Sequence, residues 1–297
     1  MKRVISIITA LVLICSVVAG CANKINEPLN NSNSKEIGTQ NTVDTKKPEN
    51  SINKEKVYKL VSDALLKTAS ENNFLMTEKG ETYIEKNTTT EINGISESVD
   101  VETKMTTSSE VTFLNRNTDY SEVYHVGEDI TEYTITSAAS KQVVEEGIET
   151  TKVLSYTKDG FTYSIMTSND GRTLEAKNTS DNLKTWIFAL LEQYDKDYLS
   201  KIDFSDAIVK EDGQKTVITN KFNESTYTLF KFGEEGSTGS NYHNMTIEFT
   251  IENDYLTKIV INATREGCPW TLVYTFSNFG EDMVITPPEG YEDFQMN

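Results

Sequence analysis

The segment Asn244-Met245-Thr246-Ile247-Glu248-Phe249-Thr250-Ile251 alternates strictly between polar and apolar side chains. Successive side chains of a β-strand point to opposite faces, so this pattern predicts a strand with one face buried and the other in water. A one-sided strand is typical of an antiparallel sheet, because parallel strands are usually covered on both faces. The segment therefore predicts a large antiparallel sheet.

Further extended segments, rich in Thr, Val, Tyr and Ile, lie on both sides of this one. Strands are predicted at 81–92, 98–114, 121–126, 131–137, 143–157, 161–168, 207–210, 215–222, 226–232, 256–263, 271–277 and 283–285. The pairs Asp159-Gly160 and Asp170-Gly171 predict short hairpins between neighbouring strands. The segment from Trp270 to Phe276 is apolar on both faces, which predicts a central strand with a layer on each side.

Two segments repeat apolar residues at the spacing of an amphipathic helix, one at 54–71 and one at 180–200. The second has the most apolar stripe of the mature chain, and no polar linker marks a domain boundary beside it. The predicted fold class is α+β: a single domain over 54–297, with a large curved antiparallel sheet, a half-barrel, and two main helices on its concave face. Two smaller domains that divide near residue 180 are the alternative.

The N-terminus has the features of an export signal. Lys2 and Arg3 precede an apolar run at 4–18, which is too short to remain as a membrane-spanning helix, and small residues follow. Val18-Ala19-Gly20-Cys21 resembles the bacterial lipobox, which implies that residues 1–20 are a signal peptide and that Cys21 carries a diacylglycerol. We expect a protein anchored through Cys21 to the extracytoplasmic face of the cell membrane. An ordinary signal peptide is the alternative.

The segment 21–53 is predicted to be a disordered tether, because it contains scarcely any apolar residues with which to form a core. Without Lys2 and Arg3 the chain has 26 basic and 46 acidic residues, a net charge of −20. Such a surface repels phosphates, so nucleic acid is excluded as a partner. The acidic excess is interpreted as a solvated surface, with cations or basic peptides as alternative partners.

The sequence contains none of the common catalytic or metal-binding motifs. His125 and His243 stand alone and are interpreted as surface residues, and no G-x-S-x-G or HExxH motif occurs. Cys15 leaves with the signal and Cys21 is acylated, so Cys268 has no disulfide partner and is predicted to be a small buried hydrophobic residue. We therefore expect no catalytic residue, no metal and no cofactor. A hydrolase with scattered catalytic residues is a minor alternative.

Three segments resemble Gram-positive LolA-like lipoproteins: YTKDGFTY at 156–163, YTFS at 274–277 and VITPP at 284–288. The resemblance spans residues 54–291. It implies an unclosed antiparallel half-barrel whose concave face is covered by helices. Some relatives use that shape to carry acyl chains or lipoproteins. The family pattern supplies no catalytic residue to transfer.

The predicted function is that of a non-enzymatic, membrane-anchored lipoprotein that binds or carries a lipid or another hydrophobic ligand. An incompletely filled interface between sheet and helix leaves a dry cavity, which the apolar face of the second helix would line. The predicted lining residues are Trp186, Ile187, Leu190, Leu191 and Tyr194. The alternative is a structural or interaction lipoprotein with a packed core, which binds an envelope protein or a cell-wall partner and no small molecule.

Overall fold

The computed structural model describes residues 54–92, 94–116, 121–179, 202–221, 242–265 and 267–295. These residues contain one α-helix, eleven β-strands and a short 3-10 helix at Tyr291–Asp293. The α-helix, α1, is Lys54–Ser70, and the strands are β1 Phe74–Ile92, β2 Ile95–Leu114, β3 Glu122–Ser137, β4 Val143–Lys158, β5 Phe161–Ser168, β6 Thr173–Thr179, β7 Ile208–Asp212, β8 Lys215–Lys221, β9 Tyr242–Glu252, β10 Tyr255–Arg265 and β11 Cys268–Ser277. The predicted helix over 180–200 and the predicted strand over 226–232 lie outside the described residues.

All eleven strands belong to one antiparallel sheet, in the order β6-β5-β4-β3-β2-β1-β11-β10-β9-β8-β7. The chain forms two meanders, β1 to β6 and β7 to β11, and the first strand of one pairs with the last strand of the other. This joint runs from Leu75 opposite Ser277 to Thr82 opposite Trp270. β11 therefore has a strand on each side, which confirms its predicted central position.

The predicted α+β class with two main helices is wrong. The described residues form a nearly all-β structure in which one 17-residue helix accompanies eleven strands. The strands are longer than the sequence pattern indicated, because β1 begins at Phe74 and β3 continues without a break through the predicted gap at 127–130. β1 to β4 contain 19, 20, 16 and 16 residues, so strand predominates over helix.

The two faces of the sheet follow from the strand register, because residues directly opposite each other in an antiparallel pair project to the same side. We call the side on which α1 packs the helix face. There Val57, Val61 and Leu65 of α1 belong to the same buried cluster as Phe249 of β9 and Ile259 of β10. The cluster continues across the neighbouring strands with Ile218, Ile247, Ile251, Leu256, Ile261, Leu272, Tyr274, Phe276, Met76, Phe74, Val111, Phe113 and Val123.

A buried threonine fixes the end of α1 on the sheet. The Thr68 hydroxyl accepts a hydrogen bond from the Leu256 N–H at 2.9 Å and donates one to the Leu256 carbonyl at 3.2 Å. Both backbone groups at the start of β10 are thereby satisfied inside the core, where an unpaired polar group would be costly.

Residues 278–295, which we call the tail, cover part of the opposite side at β4 and β5, and we call this side the tail face. Near its end the tail inserts Tyr291, whose ring meets those of Tyr156 and Tyr163 edge-on at centroid distances of 5.1 and 4.9 Å. Phe294 belongs to the same buried cluster. The start of the tail is held by Asn73, whose carbonyl accepts a hydrogen bond from the Gly280 N–H at 2.8 Å. The predicted strand at 283–285 is part of this tail and pairs with no described strand.

Candidate functional site

The residues for which a functional role was predicted lie outside the part of the chain that the structure describes. Cys21 belongs to residues 1–53, and Trp186, Ile187, Leu190, Leu191 and Tyr194 belong to residues 180–201. Their roles stay predictions. The helix face, which the predicted lining residues were expected to cover, is described in detail, and the candidate site is built from it.

Along β1 to β3 the helix face changes from apolar to polar. β1 carries Phe74, Met76 and then Glu78, and β2 beside it changes from Phe113 to Ser109, which lies opposite Glu78. The rings of Phe74 and Phe113 stack with their centroids 4.5 Å apart. The border of the apolar surface therefore runs across these strands at Glu78.

Two carboxyl groups lie at this border. Glu78 on β1 and Asp129 on β3 both project to the helix face, with β2 between them. Burial raises the pKa of Glu78 from 4.5 to about 7, and the negative charge of Asp129 raises it further in the same direction. Burial also raises the pKa of Asp129, while a hydrogen bond from Thr107 opposes that shift. Near neutral pH, Glu78 is thus divided between its protonated and ionised forms.

His125 lies on the same face of β3 and is half-buried there. It was predicted to be a surface residue. Its ring lies over Gly127: a Cβ atom built on that glycine would be only 3.1 Å from His125 Nε2. Burial lowers the pKa of His125, so the ring is neutral at pH 7. The side chain of His243 lies outside the described residues.

We call Glu78, Asp129, His125 and Thr107 the acidic belt. A partly protonated carboxyl group can both donate and accept hydrogen bonds, so the belt could bind the polar end of a ligand whose apolar part lies on the adjoining surface. Within the described ranges, no three His, Cys, Asp or Glu side chains are grouped in a way that could hold a metal ion. The belt is interpreted as a hydrogen-bonding site because of the donor and acceptor capacity of its carboxyl groups.

Sequence reasoning missed both carboxyl groups because it misplaced the strands. Glu78 lies before residue 81, where the first strand was predicted to begin, and Asp129 lies in the predicted gap at 127–130. The available signal was the alternation of Phe74, Met76 and Glu78, which continues the period of two toward the N-terminus.

A second concave region lies at the far end of the long strands. It is a depression of about 660 Å³ at the tip, lined by Glu97, Ser98, Ser137, Ala138, Ala139 and Ser140. Its lining consists of small and polar residues, and it opens to solvent. An apolar ligand would find little surface to bury there.

Cys268, which was predicted to be a small buried hydrophobic residue, is only partly buried at the start of β11. It is a free thiol in the structure. Within the described ranges, none of the helices combines the length and the apolar character needed to cross a membrane.

No family model matches the chain, and no curated protein matches it. A solved structure, a β-barrel-like protein of the domain of unknown function DUF1849 from Brucella abortus, is similar over 70% of this chain and 97% of that chain. The sequence identity is 12% and the TM-score is 0.18, so this neighbour is distant. The resemblance to LolA-like lipoproteins stays a prediction.

Proposed function

We propose that this protein is a non-enzymatic lipoprotein, anchored through Cys21 to the extracytoplasmic face of the cell membrane, that binds a lipid or another hydrophobic ligand on its helix face. The tether at 21–53 holds the sheet away from the membrane in this proposal. The predicted LolA-like character agrees with it, since such a shape suits the carriage of acyl chains.

The width of the apolar helix face is the observation that carries the proposal. The buried cluster extends over seven neighbouring strands, from Ile218 on β8 to Val123 on β3. Strands lie about 4.8 Å apart, so this surface is roughly 29 Å wide. α1 packs on β9 and β10, and a helix is about 10 Å wide, which is enough for two strands. Ile202 and Phe204, which precede β7, belong to the same cluster and add to this cover. We infer a further cover over β1 to β3, where Phe74 and Phe113 are also buried.

A ligand and the predicted helix over 180–200 are the two candidates for that cover. The acidic belt favours a ligand with one polar end, because Glu78 and Asp129 lie where the apolar surface stops. Met76 is 2% exposed, so in this proposal an acyl chain displaces part of the present cover, lies along the surface that includes Met76 and brings its polar end to Glu78. In this arrangement both parts of an amphipathic ligand find a matching environment.

The alternative proposal is a packed scaffold that binds an envelope protein. Full burial of core side chains such as Phe113 and Ile247, with exposures of 0%, favours it. In that case the residues at 180–200 fill the space over β1 to β3 completely and no small ligand enters.

Native mass spectrometry of the chain from residue 22, purified without detergent, separates the two proposals. We expect a co-purifying lipid and uptake of a fluorescent acyl probe. Leu190→Ala should reduce uptake several-fold and cost less than the roughly 2 to 5 kcal/mol of a packed-core truncation. Leu66→Ala is the matched control, because Leu66 is 46% exposed on α1. A lipid-free spectrum, no uptake and a full core cost for Leu190→Ala would establish the scaffold instead.

The membrane anchor is tested separately. Cys21→Ala removes the thiol that would be acylated, so the protein should leave the membrane fraction or accumulate as uncut precursor. Fractionation followed by intact-mass measurement distinguishes these forms. A Cys21→Ala protein that is still trimmed and membrane-bound would contradict the lipobox prediction.

A further inference from the structure

Among the residues that the structure describes, the second half of β1 has an open backbone edge. β2 pairs with β1 along its whole length to Ile92, but β11 pairs with it only from Leu75 to Thr82. No strand of the described chain lies beside residues 83–92 on the β11 side. We call the part of β1 to β4 beyond this point, residues 83–92, 95–104, 132–137 and 143–150, the arm.

Two hydrogen bonds show which backbone groups face the open edge. The Asn72 carbonyl accepts from the Arg116 N–H, on the β2 side, and the Asn73 carbonyl accepts from the Gly280 N–H, on the β11 side. The pairing of β1 with β2 has no register shift, so this alternation continues along the strand. The N–H and C=O groups of the odd-numbered residues therefore face this side of β1. The Tyr83 N–H completes the pairing of Thr82 with Trp270, so the open edge consists of the Tyr83 C=O and the N–H and C=O groups of Glu85, Asn87, Thr89 and Glu91.

The charge beside this edge is uncompensated. Glu85 lies directly opposite Glu102 on β2, and like charges in that position destabilise a strand pair. Burial and hydrogen bonds to these two carboxylates raise the pKa of Tyr83 to about 12. In the described residues no lysine or arginine forms an ion pair with Glu85 or Glu102, whereas Lys104 lies 3.8 Å from Glu81.

The arm is acidic as a whole. Its four segments contain nine acidic and two basic residues. Backbone edges bind extended chains of any sequence, and the side chains on the added strand determine which chain is accepted. A second copy of this acidic arm and an anionic membrane surface would both be repelled.

We propose that the open edge of β1 at 83–91 binds an extended segment of a basic polypeptide, which adds a strand to the sheet and places a lysine or arginine opposite Glu85. Directly opposite side chains in such a pair have Cβ atoms about 4.5 to 5.5 Å apart, so the cation reaches the carboxylate. This site lies apart from the acidic belt and does not depend on a lipid ligand.

The test uses the chain from residue 22 and a fluorescent peptide of five Thr-Lys repeats, with binding followed by anisotropy. We expect saturable binding that weakens with added salt. Five Thr-Lys repeats whose lysines are methylated on the backbone nitrogen have the same side-chain charge but lack the N–H donors that would face β1, so they should bind far more weakly. Five Thr-Glu repeats should not bind.

Two protein variants locate the site. Thr89→Pro removes a donor that faces the open edge and leaves the β1–β2 hydrogen bonds intact, so it should abolish binding. Glu85→Gln with Glu102→Gln should weaken binding about fivefold, whereas Glu211→Gln on β7 should leave it unchanged. Circular dichroism checks that each variant is folded, and the backbone-methylated peptide tests the hydrogen bonds without altering the protein.

Three results would overturn the proposal. The first is equal binding of the Thr-Lys peptide and its backbone-methylated form, which would show attraction by charge alone. The second is binding that Glu85→Gln with Glu102→Gln and Glu211→Gln weaken equally. The third is a dimer of the parent protein in size-exclusion chromatography that Thr89→Pro converts to monomer, which would assign the edge to a second copy of the chain.

Discussion

β1 is one continuous strand, yet its two halves differ in almost every physical respect. The first half, up to Thr82, lies between β2 and β11 and includes the buried residues Phe74 and Met76. The second half pairs with β2 alone, and its side chains from Glu85 to Thr89 are exposed. The first half therefore stabilises the fold, whereas the second half contributes little to the core and leaves its side chains available for recognition.

The largest difference is expected between matched isoleucines in the two regions. Ile259→Ala in β10 empties a fully buried site in contact with the α1 cluster and should cost about 2 to 5 kcal/mol. Ile148 is 62% exposed on the arm, so Ile148→Ala should cost less than about 1 kcal/mol. Urea denaturation measures both. Equal costs would show that the arm contains a core of its own.

A smaller effect is expected at the border between the regions. Because burial and Asp129 raise the pKa of Glu78 to about 7, the folded protein holds this proton more tightly than the unfolded chain does. The stabilisation is fully present below about pH 4.5 and is lost as the pH rises through about 7. We expect Glu78→Gln to be more stable than the parent at pH 8, by on the order of 2 kcal/mol.

Urea titrations of the parent and of Glu78→Gln between pH 5 and 8 check this expectation. His125 acts in the opposite sense, because its lowered pKa gives stability that is lost on acidification. Comparing the two proteins at each pH cancels that contribution. Glu211→Gln on β7 is the control and should follow the parent. Parallel curves for the parent and Glu78→Gln would contradict the assigned titration.

The smallest effect is expected inside the arm. A Cβ atom on Gly147 would lie 2.6 Å from the Tyr133 hydroxyl oxygen, so Gly147→Ala must displace the ring. The hydrogen bond from that hydroxyl to Glu145, 3.2 Å long, would be lost. We expect a cost of about 1 kcal/mol in urea denaturation, and none when Tyr133 is already alanine. An additive double mutant would show that the two residues do not contact each other.

Features that depend on a few neighbouring residues could be predicted from the sequence. The spacing of apolar residues predicted the bounds of α1 to within one residue. The Asp159-Gly160 pair forms the predicted hairpin, with φ angles of 52° and 81°. Those angles belong to the left-handed region that such a turn requires. β6 was missed, because TLEAKNT has no clear alternation and its side chains are mostly exposed.

Features that depend on distant pairing could not be predicted. Gly127-Glu128-Asp129 has the composition of a turn, but β2 and β4 pair with this segment on both sides and hold it extended. The acidic belt could not be predicted for the same reason, because it forms only when β1 and β3 lie in register across β2. The order of the strands has no local signal at all, since it depends on the pairing of β1 with β11.

The joint between β1 and β11 also determines when the sheet can be completed. Thr77 and Thr275 form a hydrogen bond across this joint although 198 positions separate them in the chain. Contacts between residues so far apart form late, because a very long loop must first be closed. As the protein is synthesised, β1 is the first strand to emerge and β11 is the last. Until β11 is added, the side of β1 that will face it is an unpaired backbone edge along its entire length. In the described part of the finished protein, β11 covers about half of that edge.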